Sequence, residues 1–158
     1  MPLTEAVIRE YDAKIQPNIF AVVHLHRSII DIGTGVRLIG SEDCYDAAAY
    51  QIMRDLSREV RGKRDYDRRP PHSKRLPNLV TLERRFDFPH LNFCIQRPEW
   101  MPFDEFWWLL HKHCRRSDWV SAAPSWFYCE ERQGDCVAYA LKEGEDSILG
   151  RSLSFRPD

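Results

Sequence analysis

The stretch TLERRFDFPHLNF, positions 81–93, places a glutamate, a histidine and an asparagine close together, at Glu83, His90 and Asn92. In a strand, His90 and Asn92 stand two residues apart, so their side chains leave the same face of the sheet. Leu91 and Phe93 then point to the opposite face, into a core. Glu83 lies upstream at a separation that a neighbouring strand could bring alongside His90. A carboxylate, an imidazole and an amide oxygen form a mixed donor set, better suited to Mg²⁺ or Mn²⁺ than to a structural zinc. Standing alone, the same His and Asn also suit the wet face of a half-buried strand.

Further along, CVAYALKEG (136–144) reads as a short helix stopped by Gly144, with Tyr139 and Lys142 three apart on one face. A phenol, with a free pKa of about 10, is a poor nucleophile at neutral pH. A divalent ion that polarises a phosphate, together with a nearby ammonium, addresses that weakness. Tyrosine attack on a phosphodiester leaves a covalent phosphotyrosine and conserves the bond energy for rejoining. Taken alone, Tyr139 reads as a packed aromatic on a short helix.

Other clusters carry less. His111, His113, Cys114, Cys129 and Cys136 lack the tight CxxC spacing of structural zinc sites. The segment RGKRDYDRRPPHSKR (61–75) has seven basic residues against two acidic ones, so it carries net positive charge. Gly62 and Pro70-Pro71 argue against a regular element there. It reads either as a solvated loop or as a flexible basic arm whose Arg61, Lys63, Arg64, Arg68, Arg69, Lys74 and Arg75 contact phosphates.

These residues need elements to hold them. NIFAVVHLH (18–26) reads as a strand, followed by a hairpin in which Gly33 and Gly35 break the pattern and RLIG closes. Ser41 is a good N-cap, and Glu42 and Asp43 suit the first turn that follows. Apolar residues then recur at helical spacing, which predicts a helix over 42–60. Strands are expected over 78–83 and 86–95, or as one long bulged strand. A second helix is expected over 103–116, with Pro102 near its first position. Its stripe of Phe103, Phe106, Trp107, Leu110 and Cys114 has the regular spacing of core rather than of a base-stacking platform, with Trp108 off the stripe. SWFYCEE (125–131) gives another strand, and 145–158 a polar tail. The order implies an α+β fold with a central antiparallel sheet flanked by helices.

The chain has 158 residues and is 43% hydrophobic, which suits one domain with its own core. A formal net charge of −1 argues neither for nor against nucleic acid, because a local patch can serve where the total is neutral. Five cysteines without paired spacing and no evident signal peptide point to a reducing cytoplasm. No apolar run approaches the roughly 20 residues that cross a bilayer.

TLERRFDFPHLNF followed by YALKEG resembles the second and third motifs of the rolling-circle replication initiator endonucleases. That superfamily has a histidine-hydrophobe-histidine metal motif, and the nearest form is the single-tyrosine nicking domain of small circular single-stranded DNA viruses and related plasmids. The resemblance spans 18–144 and rests on the order and spacing of short motifs. It implies a ferredoxin-like fold in which Glu83, His90 and Asn92 hold Mg²⁺ or Mn²⁺ and Tyr139 is the nucleophile. Lys142 would place or neutralise the phosphate. It implies nicking and joining of single-stranded or hairpin DNA through a 5′-phosphotyrosine, in replication, mobilisation or transposition of a small element. A separate helicase is an implied partner, since no GxxxxGK[ST] loop is present. The location would be cytoplasmic, or nuclear for a eukaryotic virus.

The chain departs from the family at Asn92, where His or Gln is usual, and Asn has the shorter arm and the weaker donor. A catalytically silent DNA-binding or regulatory protein of the same fold is therefore the alternative, and a plain interaction domain a third. His24-Leu25-His26 looks like the metal motif but occupies the family's first-strand position, where it could ligate, touch DNA or line the same pocket.

Overall fold

A computed structural model describes residues 5–85 and 88–155. The elements run α1 (Glu5–Ile15), β1 (Ile19–His24), β2 (Ser28–Ile30), β3 (Arg37–Ile39), α2 (Glu42–Arg61), α3 (Lys63–Arg68), α4 (Pro71–Lys74), β4 (Asn78–Arg85), β5 (Phe88–Ile95), α5 (Phe103–Arg115), β6 (Phe127–Glu131) and α6 (Cys136–Ala140), with a 3-10 turn over Glu145–Ser147. Four strands form an antiparallel sheet in the order β4-β5-β1-β6, while β2 and β3 make a separate hairpin. The expected α+β architecture, a central antiparallel sheet flanked by helices, is present. The expected second strand began at Phe86, which lies outside the described residues.

Alternation along the strands sorts the side chains onto two faces. Val23, Leu91, Phe93 and Ile95 go to one face. They pack there beneath Ile52, Met53 and Leu56 of α2 and Phe106 and Leu110 of α5. Helix α2 forms because its apolar residues recur on one side and because Ser41 caps it. The Ser41 hydroxyl accepts the Cys44 backbone N–H at 3.3 Å. In α5, Phe106, Leu110 and Cys114 are fully buried, whereas Trp108 is exposed, as the stripe predicts. On the other face Phe20, Leu79 and Cys94 meet Tyr11 and Ile15 of α1 and Cys136, Val137 and Ala140 of α6.

Two expectations need correction. The basic segment 61–75 is mostly helical. Gly62, with φ +85°, ends α2 rather than interrupting it, and Pro71 sits in the first turn of α4, where its missing N–H costs nothing. The tail is a structural part: Ile148 bridges Thr81 of β4, and Leu149, Ser152 and Leu153 are buried. The sequence reading also missed α1, which closes one end of the second face.

Candidate active site on the α1/α6 face

Three rungs cross β4, β5 and β1 on this face, because the strands are in register. Leu79, Cys94 and Phe20 form the first rung, Thr81, Asn92 and Val22 the second, and Glu83, His90 and His24 the third. Moving along the sheet, the rungs change from apolar to polar.

Glu83 is the centre of the polar end and its side chain is only 3% exposed. His90 Nε2 lies 2.6 Å from Glu83 Oε2, and Asn92 Nδ2 donates to the same oxygen at 3.2 Å. Lys142 Nζ meets Glu83 Oε1 at 2.9 Å. Burial alone would raise the Glu83 carboxyl, but Lys142, Asn92 and His90 together bring it down to about 2. Burial also pushes the His24 imidazole below its ordinary value, and its neighbour His90 adds to this; the two rings are 5.5 Å apart.

Tyr139 lies at the first, apolar rung, with its ring edge-on to Phe20 at 5.2 Å. Two cations flank it. Lys142 Nζ is 4.0 Å from the ring centroid and the Arg132 guanidinium 5.2 Å. Lys142 thus touches both the carboxylate and the phenol, joining the two groups picked out from distant parts of the sequence. Burial would lower its ammonium, but Glu83 and Tyr139 hold it above the ordinary lysine value. Helix α6 ends at Ala140, so Lys142 reaches Glu83 from the following turn rather than from the helix itself.

The sequence-predicted residues Glu83, His90, Asn92, Tyr139 and Lys142 are therefore brought to one face. His26 is not: it lies past the end of β1, with its backbone N–H donating to Trp119. The basic segment is placed at the other end of β4. Glu83 is five residues beyond Asn78, roughly 17 Å along the strand. Within that segment Arg61 donates to the carbonyls of Lys74 and Arg75, and Lys74 to those of Tyr66 and Asp67. Arg75 donates to those of Ser152 and Leu153, and Arg69 pairs with Asp65. Lys63, Arg64 and Arg68 remain exposed to solvent. Sequence reasoning missed Arg132, which is tied to Asp135 through two hydrogen bonds of 2.7 and 2.8 Å beside the Tyr139 ring. Only the fold places it there, since Arg132 is three residues ahead of Asp135 in a polar turn.

Among the described residues no three His, Cys, Asp or Glu side chains group closely enough to hold a metal. Cys114 is core, as its place on the α5 stripe predicts. A metal at the polar rung would have to use an amide oxygen as its third donor. Asn92 Oδ1, buried without a hydrogen-bond partner, could take that role once the amide turns, since its Nδ2 faces Glu83. No known protein family, curated protein or solved structure matches the chain. Among the described residues no helix is long and apolar enough to cross a membrane.

Proposed function

We propose that this face nicks and rejoins single-stranded DNA through Tyr139, on a ferredoxin-like scaffold of the rolling-circle initiator kind. The observation that carries the reading is Lys142, which bridges the Tyr139 ring and the Glu83 carboxylate beside His90 and Asn92. The Tyr139 oxygen attacks phosphorus and loses its proton to solvent. The bond from phosphorus to the 3′ oxygen breaks, that oxygen takes a proton, and the 5′ phosphate stays on the phenol. Attack by a 3′ hydroxyl reverses the step. Lys142 and Arg132 lie where they can offset charge on the phosphate, and Phe20 holds the phenol ring. Glu83, His90 and Asn92 Oδ1 would hold Mg²⁺ or Mn²⁺, which when bound supplies Lewis-acid polarisation of the phosphate. Lys63, Arg64 and Arg68 would contact the DNA backbone farther out, and a helicase would be a separate partner.

The reading is tested with a library of labelled single-stranded and hairpin oligonucleotides and Mn²⁺. Cleavage is expected with the native chain and is expected to disappear in Tyr139→Phe. Absence of cleavage on all substrates would count against it. A second reading, a silent DNA-binding protein of the same fold, is favoured by one feature: Glu83 is paired with the chain's own Lys142. Hairpin binding that needs no metal and leads to no cleavage would identify it.

A further inference from the structure

We infer that Lys142 is an exchangeable internal cation, which closes Glu83 until a phosphodiester draws it away, so that DNA and divalent metal bind cooperatively. The inference rests on the proposed metal site and adds an order of events to it.

The described neighbours Lys142, His90 and Asn92 each present a hydrogen-bond donor to the carboxylate. Lys142 occupies Oε1, while His90 Nε2 and Asn92 Nδ2 share Oε2. A metal needs the reverse: carboxylate lone pairs, an unprotonated ring nitrogen and the amide oxygen. The Asn92 amide is turned with nitrogen toward the carboxylate, because two facing oxygens would repel. This leaves Oδ1 buried and unpartnered, and the amide must turn before that oxygen can ligate a metal beside Glu83.

The ammonium is the part that can leave. The Lys142 side chain is 24% exposed and rises from a turn, whereas Glu83, His90 and Asn92 are fixed on paired strands. It also lies against Tyr139, where the phosphate would arrive. A phosphodiester there offers the ammonium a new anion at little displacement. The carboxylate, then buried without its strongest partner, becomes a strong ligand for a dication. Coupling between two ligands is reciprocal, and a typical size is about 5- to 150-fold in affinity.

The experiment measures Mn²⁺ affinity by the electron paramagnetic resonance signal of free Mn²⁺. It compares the native chain, Lys142→Met and Lys142→Gln, each with and without a single-stranded oligonucleotide, after correction for Mn²⁺ bound by the oligonucleotide alone. Circular dichroism checks that each variant is folded. The native chain is expected to bind Mn²⁺ about tenfold more tightly when DNA is present. Both variants are expected to bind it about tenfold more tightly than the native chain without DNA, and to lose most of the gain on adding DNA. Mn²⁺ binding that is unaffected by either substitution, or weakened by both, overturns the exchange and leaves the metal site standing. No Mn²⁺ binding by any of the folded proteins overturns the metal site and the exchange together.

Discussion

On the α2/α5 face of the sheet, Ile95, Phe93, Leu91 and Val23 of the two central strands are apolar and lie under the helices, with the buried Asn78 opposite Ile95 at the margin. On the α1/α6 face the same strands change character within three rungs. Phe20, Leu79 and Cys94 are covered by α1 and α6, but Glu83, His90 and His24 extend past that cover. The difference follows from length. Helix α2 runs for 20 residues, whereas α6 runs for five and stops at Ala140. A face that its helices only half cover can keep polar groups at the uncovered end, provided they satisfy one another. Here most of them do so around a single carboxylate, while the short helix supplies the phenol and the turn after it the ammonium. One face thus stores stability, and the other holds a polar cluster on a rigid floor.

The largest effect that sharpens this contrast is expected at Phe93, fully buried on the apolar face. Phe93→Ala is expected to cost about 3–5 kcal/mol in urea unfolding. A cost below about 1 kcal/mol would mean that this face is not the main core. The smaller effect concerns Glu83 and is read from pH. Its carboxyl lies near 2 in the folded chain against 4.5 as the ordinary value. A group depressed on folding stabilises above its unfolded value and loses that contribution as pH falls through its folded value. The native chain is therefore expected to lose about 3 kcal/mol more than Glu83→Gln between pH 5 and pH 2. Parallel stability curves for the two proteins over that range would show that the polar rung does not hold the carboxylate as described.

The helices over 42–60 and 103–116 were legible because their apolar periodicity is strong, and the observed α2 and α5 match them within a residue. Helix α1 was not legible, since it buries only Tyr11 and Ile15 and so shows little period. The tail was missed for a similar reason: Ile148-Leu149 and Leu153 are short apolar breaks in a polar run, and their burial depends on where β4 lies. Of the site, the shared face of His90 and Asn92 could be read from strand alternation, and the approach of Glu83 from the hairpin that follows it. The placement of His24 beside His90 could not, because it depends on the register between β1 and β5, strands far apart in the chain. The contact between Lys142 and Glu83 needed the whole fold, since helical spacing pairs Lys142 with Tyr139 but says nothing of β4.

The central claim is that Tyr139 and the polar rung act as one site on DNA. It is tested most directly by incubating the chain with Mn²⁺ and a cleavable single-stranded oligonucleotide, then locating the covalent adduct by peptide mass spectrometry. The account predicts a 5′-phosphate linked to the peptide that contains Tyr139, absent from Glu83→Gln. An adduct on another residue, or cleavage without any adduct, would contradict it.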